Sequence, residues 1–357
     1  MNKKLTIAFT ILLCLMMVFV ACDQLEQSST TPNNNQDDVT GGNGDPAVEQ
    51  SDENLDFEPI EIVYIDRNGN EHLVDLTMLM HREGVGGFIK SSGSVVDPAT
   101  FTGPYLQDIV DIFGGYTEED ALEIMATDRY RMTFTKEQAQ GHIEIYDRDF
   151  NTLSVGPTDV MVAIESKSEE MNYGMPRLVF TTPDTPIITH GHFWIRDIAE
   201  IKVVPSVIEW TLSLTGYGEY VCDRSTFESV ANCHVSPHPP QVFEQENSDG
   251  QMDVYEGVAL WVMISTVDGN DLPSGHYMVN RELAQQGYTV QIYAEDGFMV
   301  ELTSDEIYYN NDIILAYRKN GAPLLDEDGP LQLVGEGLPT RRHAIKNIER
   351  IELVGLP

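Results

Sequence analysis

Two stretches of this chain carry the same landmarks in the same order, and a chain that repeats itself in this way folds as copies of one unit. Gly103 answers to Gly257, and Asp128-Arg129-Tyr130 to Asp296-Gly297-Phe298. Ala163 answers to Ala316, Leu178-Val179 to Leu333-Val334, and Ile195, Ile198 and Ile201 to Ile345, Ile348 and Ile351. The intervals differ only between these anchors, where loops belong. The repetition predicts a tandem duplication with its breakpoint near Val204-Pro205, and mixed α and β elements in each copy.

Local patterning fills in the copies. Ile60–Ile65 and His72–Val74 read as strands on either side of Asn68-Gly69, a hairpin signal. Leu106, Ile109, Val110 and Phe113 have the spacing of a one-sided helix that Gly114-Gly115 ends. The glycines from Gly84 to Gly93 read as a loop whose backbone N–H groups could cradle an anion. Arg177–Phe180, Tyr288–Tyr293, Met299–Leu302 and Ile313–Tyr317 read as strands, Ser225–Ala231 as a short helix, and Glu244–Asp253 as a polar loop.

The residues ahead of the copies have another character. Lys3 and Lys4 precede an apolar run from Leu5 to Val20, the pattern of an export signal. Phe19-Val20-Ala21-Cys22 is similar to a bacterial lipobox, in which the cysteine receives lipid. Residues 22–56 lack Lys and Arg and have almost no large apolar side chain, so they cannot bury a core and predict a disordered tether. The expected layout is a signal peptide over 1–21, the tether over 22–56, and modules over 57–204 and 205–357. The expected location is extracytoplasmic, with the membrane as partner through lipid on Cys22. Asp and Glu number 58 against 21 Lys and Arg, which argues against nucleic acid as a partner. With Cys14 and Cys22 in the leader, Cys222 and Cys233 remain for the folded part, and export makes them a disulfide candidate.

The run Gly-Val-x-Leu, Ala-x-Asp-Gly-Phe, Leu-Ala-Tyr, Gly-Pro-Leu-x-Leu-Val and a closing Ile-x-x-Ile-x-x-Ile-Glu over residues 255–353 resembles the molybdopterin-binding oxidoreductase domain, the sulfite oxidase fold. Residues 101–203 carry the resemblance more weakly. It implies an α+β fold in two tandem modules. It also implies a redox enzyme in which Cys233, upstream of Gly257, binds molybdenum through its thiolate beside the pterin, with a small molecule or a redox protein as partner.

The candidate site residues fall into three groups. Cys233 and His234, with His238 and His276 nearby in sequence, offer thiolate and imidazole for catalysis and metal binding. Arg177, His190 and His192 form a second group, and Arg341-Arg342 a third, as candidates for holding the cofactor. The competing reading is a cofactor-free binding or interaction module with a Cys222–Cys233 disulfide; Cys233 cannot serve both purposes at once.

Overall fold

A computed structural model describes residues 58–90, 92–234, 238–269, 277–325 and 327–357. The expected export signal, tether and lipidation at Cys22, and also His276, fall outside the described residues. Among the described residues, no helix is long and apolar enough to cross a membrane.

The expected α+β balance is not what the chain forms. Strands take 43% of the structure and helices 16%, in several mixed and antiparallel sheets. Among the described residues the helices are short, the longest being Arg224–Ala231 at 8 residues. Several stretches read as loops are strands. Glycine-rich Arg82–Ile89 is one of them, and Gln241–Glu246 pairs with Met252–Ala259 where an acidic loop was expected. The glycines explain the first case. A side chain at Gly86 would overlap the Phe180 carbonyl, and one at Gly87 the backbone of Val96 and Pro98. They permit close backbone approach between strands instead of forming an anion cradle.

Two five-stranded sheets share one topology. The first runs in the order Glu71–Asp75, Glu61–Ile65, Ile198–Pro205, Asp120–Ala126, Arg131–Phe134. The second runs Glu219–Asp223, Thr211–Thr215, Ile348–Val354, Thr289–Ala294, Met299–Thr303. In each, the opening strand pairs in parallel with the closing strand: Val63 with Glu200, and Ser213 with Arg350. The first and last strands of each unit are thus tied together. The two large apolar cores divide at the same place, one spanning Ile62 to Val203 and the other Leu212 to Leu353.

The correspondence extends to single hydrogen bonds. The Tyr130 N–H donates to the Asp128 carboxylate over 2.9 Å, and the Phe298 N–H to Asp296 over 2.8 Å. Arg129 and Gly297 between them both hold positive φ. The Thr127 N–H reaches the Asp197 carbonyl and the Glu295 N–H reaches that of Asn347. Thr135 with Gln138, and Thr303 with Glu306, form capping boxes just after equivalent strands. A second layer packs on each sheet. In one unit it includes the pair Asp159–Ala163 and Arg177–Thr181; in the other, Ile314–Lys319 with Gln332–Val334.

Gly103 and Gly257 show why the repeated landmarks are small residues. A Cβ at Gly103 would overlap the Val162 carbonyl and the Ala163 Cα, and one at Gly257 the Leu315 carbonyl and the Ala316 Cα. Backbone crosses backbone at both points, so no side-chain rotation can make room. Either Gly103→Ala or Gly257→Ala is therefore expected to cost about 1–3 kcal/mol of overpacking, measured by urea unfolding. An effect below the error of that measurement would show that the crossing is loose.

Candidate functional site at the module seam

The chain's buried polar chemistry gathers where the two modules meet. The helix Arg224–Ala231 leaves the hairpin strand Glu219–Asp223, and Asp223 caps it by accepting from the Thr226 N–H over 2.8 Å. This seam helix carries Phe227, Val230 and Ala231 into the second core. It also carries Arg224 and Glu228, both only 2% exposed, toward the first module.

Arg131–Phe134 is the edge strand of the first sheet, so Thr133 has a backbone N–H and C=O without a strand partner. The Glu228 carboxylate takes that N–H over 2.9 Å, and Arg224 Nη1 donates to the C=O over 2.8 Å. The ion pair from the second module thus closes the edge of the first, in place of another strand. Arg224 also donates to Gln138 Oε1 over 3.0 Å and to Glu209 from both Nε and Nη2, over 3.0 and 2.7 Å. A second clasp lies alongside. Arg318, 3% exposed, bonds Glu123 of the first module and the Gly321 carbonyl, and Arg131 pairs with Glu256.

His190 and His192 lie at the same seam. The expected strand alternation ends at His190, and His192 belongs to the 3-10 turn Gly191–Phe193, yet the two rings stand 4.2 Å apart between centroids. The Ser225 hydroxyl donates to Asp223 Oδ1 over 2.7 Å, so His192 Nε2, 3.2 Å away, is the donor in its contact with Ser225 Oγ. That polarity makes the trio a latch between modules and not a nucleophile activated by a base. His190 Nδ1 is buried without a partner among the described residues. Burial pushes His190 below the ordinary 6.5, with Asp223 and Glu144 pulling it back. Burial also pushes His192 well below that value, and His190 and Arg224 add to the effect.

Arg177 is 1% exposed on Arg177–Thr181. Its Nη2 donates to the Tyr173 carbonyl over 3.1 Å, but Nε and Nη1 are buried with no partner among the described residues. The Tyr173 ring, 44% exposed, stands 5.1 Å from the Arg177 guanidinium and 5.3 Å from that of Arg196. In the second module Gln332 holds the same register, opposite Ala316 as Arg177 is opposite Ala163, and its Oε1 is also buried and unpartnered.

The other expected residues are not brought together. Cys222 is a free thiol in the second core, and burial pushes its pKa up, which makes it unreactive. The Cys222–Cys233 disulfide is therefore not formed. Cys233 is buried, 2% exposed. His234 is exposed, His238 is buried against the Tyr277 ring, and Arg341 and Arg342 lie exposed in the turn Arg341–His343. Arg177, His190 and His192 belong to the other module. A molybdenum–pterin group needs a thiolate and convergent cations, and the residues as placed do not fit it. Among the described residues, no three His, Cys, Asp or Glu side chains are grouped to hold a metal.

Arg224, Glu228, Arg318 and Glu123 were not singled out in the sequence. Their signal was there: an Arg and a Glu four apart, flanking Phe227 on an otherwise core-facing helix, and Arg318 ending an apolar strand. No family model matches this chain, and no curated protein matches it.

The paired imidazoles set a pH dependence. Their folded pKa values lie below 6.5, so the unfolded chain binds the extra protons. Their contribution is complete above that value and is lost as pH falls through it. Melting temperature is expected to drop on going from pH 7.5 to about 5, and to drop less steeply in His190→Phe. The same slope in both proteins would refute the assignment.

Proposed function

We propose that this chain is an extracytoplasmic binding protein, tethered by lipid on Cys22, which captures a ligand bearing an oxyanion on Arg177. The duplicated scaffold serves as a rigid platform for that capture, and no cofactor is required.

The observation that carries this reading is the buried Arg177 guanidinium with unpartnered Nε and Nη1. Leaving charged donors buried and unbonded costs about 1–3 kcal/mol or more, a cost retained when the group has work to do. Nε and Nη1 point to different edges of the guanidinium, and each offers an oxyanion oxygen one charge-assisted bond. Tyr173 lies between the solvent side and Arg177, with Arg196 against the same ring, so displacing one aromatic side chain would expose two guanidinium groups. The surrounding protein is acidic, so such a socket selects by short-range bonding and not by long-range attraction.

Thermal stabilisation by phosphate, sulfate and benzoate at constant ionic strength tests the reading. One of them is expected to raise the melting temperature along a saturating curve, and Arg177→Met is expected to abolish the rise while folding at least as stably as the parent. Equal stabilisation of both proteins, or none in the parent, would contradict it.

A further inference from the structure

A cavity of about 240 Å³ opens at the seam, apart from Arg177. The inter-module segment gives one wall, with Ile208 and Trp210, and Leu324, Leu325 and Pro330 give the other. Arg224 and Glu228 line it below, with Tyr317 beside them and the exposed Glu295 at the rim. Ile208 is 68% exposed and Leu325 40%, so among the described residues the mouth carries uncovered apolar groups.

We infer that this cavity binds a small organic cation with a short apolar body, of the alkylammonium class. Charge decides the sign. Among the described residues Arg224 is the one cation in the lining, and its donors are already divided among Glu209, Glu228, Gln138 and the Thr133 carbonyl. Arg224 therefore offers nothing to an anion. Two carboxylates of the lining, Glu228 and Glu295, stand against that single guanidinium, and Glu209 bonds Arg224 from outside the lining. Trp210 and Tyr317 add ring faces, which attract a cation desolvated against them. The volume is below the roughly 300–1,000 Å³ of drug-sized pockets, which limits the ligand to a few heavy atoms. The apolar lips fit an alkyl chain, and the ammonium group goes inward.

The test follows Trp210 emission in the full chain during titration with n-butylammonium, 1-butanol and butyrate. Trp210→Phe identifies the part of the signal that belongs to the cavity. Butylammonium is expected to give a saturating change with at least about tenfold tighter binding than butanol or butyrate. Glu295→Gln, a change at an exposed residue, is expected to weaken it several-fold. Leu325→Trp is expected to abolish it by filling the mouth, and Arg177→Met to leave it unchanged, which separates this site from the oxyanion socket. Equal binding of butanol and butylammonium would reduce the cavity to an apolar crevice and overturn the inference. So would an unsaturable response, or a response unaffected by both Glu295→Gln and Leu325→Trp.

Discussion

Arg224 is the group on which the arrangement of the two modules depends. It is buried, and its bonds go to both halves of the chain: to Glu209 and Glu228 on one side, to Gln138 and the Thr133 carbonyl on the other. A buried guanidinium is tolerable only when its donors are satisfied, since removing a partner from such a pair costs about 3–5 kcal/mol. Separating the modules would strand Arg224 and Glu228 at one face and reopen the Thr133 edge at the other. The apolar cores do not cross the boundary, so this polar clasp, with Arg318 and Glu123 beside it, is what makes two duplicated units meet in a defined way.

The copies keep in common what builds the scaffold and differ in what could carry chemistry. Shared features are the sheet order, the Asp-led turns, the glycine crossings and the capping boxes. After the first hairpin, Asp75 caps only the single 3-10 turn Leu76–Met78. After the second, Asp223 caps the full seam helix, which brings Arg224, Ser225 and Glu228 to the other module. At one shared buried register, the first copy has Arg177 where the second has Gln332. The two units share one frame, and they differ in a cation carried by the first and a docking helix carried by the second.

The frame was legible in the sequence because it depends on local rules. Gly103 and Gly257 mark backbone crossings, Asp128 and Asp296 mark turns, and the isoleucine triplets mark closing strands. The balance of helix and strand does not follow from those local rules. Gly84–Gly87 looks like a loop when judged by glycine content, and only the neighbouring backbones of Phe180 and Val96 show why those residues lack side chains. The cysteines show the same limit. Cys222 and Cys233 are near in sequence, but strand alternation turns Cys222 into the core opposite Leu212. The seam was invisible because its partners, such as Thr133 with Glu228 or Glu123 with Arg318, are separated by 95 and 195 positions. No periodicity reports contacts of that range. Arg177 could be chosen as a residue type in a strand, but its missing partners are a property of the packed structure alone.

The central claim is that the clasp makes the two modules one cooperative unit. Scanning calorimetry of the chain and of Arg224→Met tests it most directly. The account predicts a single transition in the parent, with matching calorimetric and van't Hoff enthalpies, and two separated transitions in the variant. Two transitions in the parent, or one unchanged transition in Arg224→Met, would contradict it.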